Sequence, residues 1–131
     1  MSLFKLMAQS CGLSLSETVA YLGTKPDTTK SWWIGRRKPP EMVLEQLTEL
    51  AVRQDLAAQK ALVDMGLLTP KSDRVTLPLC ASDSAARKLG WPCLNAYRAV
   101  IRRIIEKMPP KLATRLVLVT EGRSARIRVG R

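Results

Sequence analysis

The stretch from Leu13 to Pro40, LSLSETVAYLGTKPDTTKSWWIGRRKPP, contains the clearest structural signals in this chain. Ser14 or Ser16 can cap the start of a helix, because a serine oxygen accepts a hydrogen bond from an N–H group of the first turn. Gly23 suits the left-handed conformation in which such a helix ends. The residues expected to pack inward are Val19, Ala20 and Leu22. The first part of the stretch therefore predicts a short helix that is closed by a glycine turn.

A second short helix is predicted directly after this turn. It can start near Pro26, since proline is tolerated in the first turn of a helix, and it can run to Trp33 before Gly35 ends it. Neighbouring positions on a helix point about 100° apart, so we expect Trp32 to lie in the core and Trp33 to be partly exposed. Two helices joined in this way have the outline of a helix-turn-helix, whose second helix can enter a DNA major groove.

The same stretch resembles the Cro/repressor class of helix-turn-helix regulators. The residues that carry the resemblance are Leu22-Gly23, Trp32, Gly35, Arg36-Arg37-Lys38 and Pro39. A weaker similarity, to the regulators encoded beside anti-CRISPR genes, rests on Ser16-Glu17, Leu22-Gly23 and the Trp-rich helix end. The sequence departs from the Cro/repressor pattern at Thr18, where an apolar residue is usual, and at Pro26-Asp27, which replaces the common polar or basic start of the second helix.

The resemblance implies which residues would touch DNA. The positions that it places against base edges are Lys25, Asp27, Thr28, Lys30 and Ser31. Hydroxyl groups can bond to several base edges, and a lysine can reach guanine O6 and N7. The positions that it places beside the phosphate backbone, where they would fix the register without reading sequence, are Arg36, Arg37 and Lys38.

The positive charge is concentrated in the other half of the chain. Residues 1–70 hold eight Lys or Arg against seven Asp or Glu, whereas residues 71–131 hold fourteen against four. The second half therefore accounts for +10 of the net charge of +11. We expect it to provide most of the attraction to a polyanion such as nucleic acid.

The second half also has a recognisable order of elements. A long helix is predicted from Glu41 to about Met65, and the elements that follow are a brief strand at 74–79, a helix from Ser82 to Leu89, a longer helix from Pro92 to about Lys107, and β-rich runs at 115–120 and 125–129. This is the order of a winged helix-turn-helix, in which the last two runs would form the hairpin wing.

The predicted fold class is mainly α with a small β-hairpin. It has an N-terminal helix-turn-helix bundle over residues 1–66 and a basic winged-helix-like domain over residues 67–131, which share the helix at about 41–65. Three residues of the longer helix in the second half fall on one polar face and are expected to contact bases: Asn95, Arg98 and Arg102. The expected phosphate contacts of the wing are Arg123, Arg126 and Arg128.

Enzyme, metal and cofactor chemistry are not indicated. The chain has no histidine, which removes the commonest general base and imidazole ligands. Cys11, Cys80 and Cys93 have no metal-ligand spacing, and we expect free, mostly buried thiols. No phosphate loop of Walker or Rossmann spacing occurs, and nothing marks a small-molecule site. We therefore expect no enzymatic activity and no cofactor.

Membrane insertion is not indicated either. No apolar run approaches the roughly 20 residues that a spanning helix needs, and residues 1–12 lack the apolar centre of a cleavable signal. The sequence favours a cytoplasmic protein.

The leading functional hypothesis is a sequence-specific regulator of transcription that binds double-stranded DNA as a homodimer and represses by occupying a promoter. Two alternatives stay open from the sequence. One is a protein-interaction module of a mobile element, such as an antitoxin or an inhibitor, whose basic half binds an acidic partner. The other is an RNA-binding protein, in which Trp33 and Tyr97 would stack on bases.

Overall fold

The computed structural model describes residues 2–66, 75–113, 116–119 and 127–128. This part of the chain is mainly helical, as predicted, with seven helices and one two-stranded parallel sheet. Two compact units are present, Met1–Val52 and Arg53–Arg131, and the boundary between them falls inside the longest helix.

The first unit contains three short helices and the beginning of a long one. They are α1 (Leu3–Ser10), α2 (Leu15–Leu22), α3 (Pro26–Trp33) and the first half of α4 (Glu41–Asp64). The predicted start of α3 at Pro26 and its end at Trp33 are confirmed.

Both ends of α2 are closed by local signals that the sequence contains. Of the two candidate caps, Ser14 is the one used: its hydroxyl accepts from the Glu17 N–H, and the Glu17 carboxylate accepts from the Ser14 N–H at 3.0 Å. This reciprocal pair satisfies two first-turn donors. Gly23 ends the helix with φ +67°, a conformation that a side chain would strain.

The inward face of α2 differs from the prediction. Ala20 is exposed and Val19 and Leu22 are only half-buried, whereas Thr18 is fully buried. A buried hydroxyl is costly unless it forms a hydrogen bond, and that of Thr18 donates to the Ser14 carbonyl at 2.7 Å. Thr18 can therefore occupy the apolar position because its own helix satisfies its polar atom.

Aromatic packing joins α1 to α3. The Phe4 ring meets the Trp32 ring edge-to-face, with centroids 5.5 Å apart. Trp32 is buried and Trp33 is half-buried, so both predictions for the tryptophans are confirmed. Ser2 caps α1 and also donates from its hydroxyl to the Trp33 carbonyl at 2.8 Å, which fixes the end of α3 against the start of α1.

The second unit begins with the rest of α4 and continues through five further elements. They are β1 (Val75–Pro78), α5 (Asp83–Lys88), α6 (Leu94–Lys107), α7 (Pro110–Ala113) and β2 (Leu116–Val119). Its core is centred on α6, whose buried residues are Ala96, Tyr97, Ala99, Val100, Ile101 and Ile104. Gln54 of α4 is buried against this helix, and its side-chain amide donates to the Ala96 carbonyl at 3.1 Å.

The sheet is not the predicted hairpin. Residues 116–119 of the predicted run at 115–120 do form a strand, β2, but it pairs in parallel with β1, with Val75 opposite Leu116 and Pro78 opposite Val119. Parallel strands need a long crossover connection, and α5, α6 and α7 provide it. Ile127 and Arg128 are the described part of the second predicted strand, and they do not belong to a strand. The remainder of that run lies outside the described residues.

The backbone of Ile127 is nevertheless fixed to the core of the second unit. The Trp91 indole N–H donates to the Ile127 carbonyl at 2.8 Å, and the Ile127 N–H donates to the Tyr97 hydroxyl at 3.4 Å. The Tyr97 hydroxyl in turn donates to the Pro78 carbonyl at the end of β1. Tyr97 thus connects residue 127 to both α6 and β1, and Trp91 connects it to the turn that precedes α6.

Candidate nucleic-acid interface

The predicted base-contacting residues of α3 have different exposures. Lys25, Asp27 and Lys30 are exposed, and Thr28 and Ser31 are half-buried. The inward positions of the helix are occupied by the buried side chains of Thr29 and Trp32. The eight-residue helix thus presents one cation, Lys30, and one carboxylate, Asp27, outward, and its N-cap residue Lys25 adds a second cation.

Ser31 is half-buried, and its side chain has a structural role within α3. Its hydroxyl donates to the Thr28 carbonyl at 2.9 Å, so the oxygen remains available as an acceptor while the hydrogen is used within the helix. Lys30 carries no such contact in the described structure, and its flexible stem ends in a compact charge. It is therefore the α3 side chain best suited to reach a base edge.

The basic loop is attached directly to the end of α3. The backbone N–H groups of Arg36 and Arg37 both donate to the Ser31 carbonyl, at 2.9 and 3.3 Å. Gly35 has φ +83°, which permits the sharp change of direction at this point. The side chains of Arg36, Arg37 and Lys38 are all exposed. The backbone of Arg36 and Arg37 is therefore fixed to the end of α3, while the three cationic side chains extend into solvent.

Helices α2 and α3 share one shallow surface depression. It is lined by Ser14, Ser16 and Val19 from the α2 side and by Pro26, Asp27 and Lys30 from α3. The start of α2 and the outward face of α3 therefore belong to one continuous surface, which a rod-shaped ligand could contact at both helices.

The predicted contacts of α6 are also exposed. Asn95, Arg98 and Arg102 lie three and four residues apart, on the side of α6 opposite its buried stripe. Glu106 is exposed four residues beyond Arg102, so the cationic part of the face ends one turn before the helix does.

Other cations of the second unit are engaged within the protein. Lys107 forms an ion pair with Asp55, with Nζ and Oδ1 2.9 Å apart. Arg103 donates to the Ala99 carbonyl at 3.2 Å, and Arg87 donates to the Pro92 carbonyl at 3.3 Å. These contacts leave Arg98 and Arg102 as the more accessible pair on α6.

The predicted wing residues are placed only in part. Arg128 is exposed and follows the anchored Ile127, whereas Arg123 and Arg126 lie outside the described residues.

The two aromatic residues considered for base stacking are not equivalent. Tyr97 is fully buried, and its hydroxyl is bonded to Pro78 and Ile127, so its ring cannot stack on a base. Trp33 is half-buried beside Phe4, and the Lys5 ammonium lies 5.9 Å from its ring centroid. Only Trp33 of this pair is accessible to a ligand.

The sequence did not reveal the hydrogen bonds that fix the end of α3 and the backbone of Ile127. Ser2 and Ser31 act through backbone carbonyls, at Trp33 and Thr28, and Trp91 acts on Ile127, 36 positions away. Ser31 was recognised only as a base contact. No local sequence pattern marks the two long-range contacts.

Comparisons with known proteins add no family: no protein-family model matches the chain, and no curated protein matches its sequence. No helix in the described ranges combines the length and apolar character that crossing a bilayer requires. Among the residues that the structure places, no group of Cys, Asp or Glu side chains could hold a metal ion. The three cysteines are buried and form no disulfide, as predicted.

Proposed function

We propose that this protein is a sequence-specific regulator that binds double-stranded DNA, with α2 and α3 acting as a helix-turn-helix and α3 as the helix that enters the major groove. The observation that carries the proposal is the arrangement at the end of α3. Exposed Lys30 is followed by three exposed cations, whose loop is bonded to the Ser31 carbonyl.

This arrangement separates two tasks that DNA recognition requires. Side chains of a groove helix read base edges, while adjacent cations neutralise phosphates and fix the register. Lys30 has the exposure and the length for the first task. Arg36, Arg37 and Lys38 have the charge for the second, and their fixed attachment to α3 lowers the entropy lost when they engage the backbone.

Asp27 contributes to DNA sequence preference in this proposal. It is exposed in the first turn of α3, where its carboxylate can accept from cytosine N4 but repels a phosphate. We propose that it disfavours bound orientations in which the first turn of α3 lies against the DNA phosphate backbone. An acidic residue in that place favours selectivity over general affinity for polyanions.

The second unit supplies additional affinity in this proposal. Arg98 and Arg102 present two guanidinium groups on one face of α6, and arginine forks suit phosphate and guanine. Arg128, which is exposed directly after the anchored Ile127, is a further cation of this unit that could contact phosphate. Most of the net positive charge belongs to this half of the chain.

Two copies related by a two-fold axis would place equivalent α3 helices on half-sites about one helical turn apart. Occupation of such a site within a promoter would block transcription, so repression is the proposed outcome.

Selection from a random duplex pool tests the proposal with the full chain. The expected result is enrichment of a common sequence with two-fold symmetry. The Lys30→Ala variant should lose one or more positions of that sequence, while Lys60→Ala, which removes an exposed cation from α4, should recover it unchanged. Recovery of unrelated sequences by the full chain would reject sequence-specific DNA binding.

A further inference from the structure

The first unit contains a cavity that the proposed DNA contact does not use. Its volume is about 550 Å³, within the range of small-molecule sites. Its lining comes from the start of α1, the end of α3, the basic loop and α4. Its apolar lining includes the buried Phe4 and Trp32 and the half-buried Leu44.

Apolar surface also surrounds the mouth of this cavity. Leu3 is 62% exposed and Ile34 is 55% exposed, and both line it. Apolar area in contact with water is unfavourable by about 25 cal/mol per Å². A ligand with an apolar body would therefore be stabilised both inside the cavity and at its rim.

The charge at the rim has one sign. Arg37 and Lys38 line the cavity, and no Asp or Glu is among the described residues that do so. Both cations are exposed, so their positions can adjust to a ligand. The cavity therefore combines an aromatic interior with a cationic edge, which is complementary to an amphipathic anion.

We propose that this cavity binds an aromatic carboxylate of one or two rings. The ring would lie against Leu3, Ile34 and the exposed edge of the Trp32 indole, and the carboxylate against Arg37 and Lys38. Aromatic rings favour edge-to-face or offset contacts with the rings that are already present. A guanidinium can hold a carboxylate through two parallel hydrogen bonds.

Such a ligand would act as an effector, and this part of the inference rests on the proposed function. Arg37 and Lys38 are also proposed phosphate contacts, so a carboxylate held between them would neutralise charge that the DNA needs. The ligand would lower DNA affinity, and by thermodynamic reciprocity DNA would lower ligand affinity by the same factor.

A matched pair of small probes tests the site in the absence of DNA. 1-Naphthylacetate has the proposed ring and charge, and 1-naphthylacetamide has the same ring without the charge. In the full chain, the acid should bind about five- to tenfold more tightly than the amide, since two exposed cations each contribute modestly. Titration followed by NMR should shift the Trp32 indole N–H resonance in a saturable way, and the Trp91 resonance should not move.

Variants test whether Arg37 and Lys38 bind the carboxylate, or whether any cation of the first unit has the same effect. The double variant Arg37→Gln/Lys38→Gln should reduce binding of the acid to that of the amide and leave the amide unchanged. Lys30→Gln removes a cation elsewhere in the same unit and should affect neither probe. Equal affinity for the two probes, or a Trp32 resonance that does not move at millimolar acid, would overturn the site.

A second titration, of DNA duplex into the full chain, separates this inference from the proposed function. If the acid shifts Trp32 but the chain binds no duplex, the binding site stands and the proposed function and the effector role fail. If the chain binds duplex specifically and the acid does not shift Trp32, the binding site fails and the proposed function stands.

Discussion

The Asp83 carboxylate accepts a hydrogen bond from the Leu94 N–H, with Oδ1 and N 2.7 Å apart. Asp83 belongs to the first turn of α5, whereas Leu94 is the first residue of α6. Cys93, at the cap position of α6, does not cap the helix with its own side chain. One helix therefore caps the next, and the turn between them is held closed.

This cap predicts a stability effect at an exposed residue. Asp83→Ala should lower the free energy of unfolding by about 1 kcal/mol, as is typical when a capping acceptor is lost. Asp83→Asn, which keeps an acceptor oxygen, should cost less. Urea denaturation of both variants measures this, and Ser84→Ala, an exposed neighbour, is the control. Equal stabilities for Asp83→Ala and Ser84→Ala would show that the contact contributes nothing.

The attachment of Ile127 predicts coupling between two aromatic residues. Trp91→Phe and Tyr97→Phe each remove a group that bonds to the backbone of Ile127. Each should destabilise the chain by about 1–3 kcal/mol, because a buried polar partner is left without its bond. Both contacts fix the same backbone segment, so the second contact contributes less once the first is lost. The double variant should therefore lose less unfolding free energy than the sum of the two single variants, by at least about 0.5 kcal/mol. Additive effects in denaturation would mean that the two contacts act independently.

The two roles proposed for the first unit predict different binding defects. Lys30→Ala should reduce discrimination at one base position by about 1–3 kcal/mol, while Arg36→Ala should weaken all duplexes alike and flatten the salt dependence by about one unit. Fluorescence anisotropy with a selected duplex and its single-base variants measures both quantities. If Lys30→Ala changes neither affinity nor preference, α3 does not read the sequence.

The exposed arginines of α6 predict the contribution of the second unit. Arg98→Ala/Arg102→Ala should lower duplex affinity at least about tenfold at moderate salt, because two phosphate or base contacts are lost together. Arg103→Ala is the matched control, since Arg103 already donates to the Ala99 carbonyl of its own helix. Equal affinities for the double variant and the control would exclude α6 from the interface.

Local signals in the sequence predicted the helices well. Ser14, Gly23, Pro26 and Gly90 each act within a few residues through a cap, a left-handed turn or a fixed φ, so their effects can be inferred without a partner. The burial of Trp32 followed from helical spacing, whereas the outward placement of Lys30 was implied by the resemblance to the Cro/repressor class.

Features that depend on distant residues were not predicted. The pairing of β1 with β2 joins residues about 40 positions apart. An alternating pattern predicts a strand but does not identify the strand with which it pairs. The burial of Thr18 depends on a hydrogen bond to Ser14, which hydropathy does not measure. The aromatic cavity with a cationic edge is formed by α1, α3 and α4 together, so no single stretch of sequence reveals it.

The specificity ratio of the full chain tests the central claim most directly. A duplex obtained by selection is labelled and competed with a scrambled duplex of the same composition, and with RNA, across a series of salt concentrations. The account predicts that the selected duplex binds at least about 1,000-fold more tightly than the scrambled one at physiological salt, and that RNA competes no better than scrambled DNA. A ratio near one at moderate salt would contradict it.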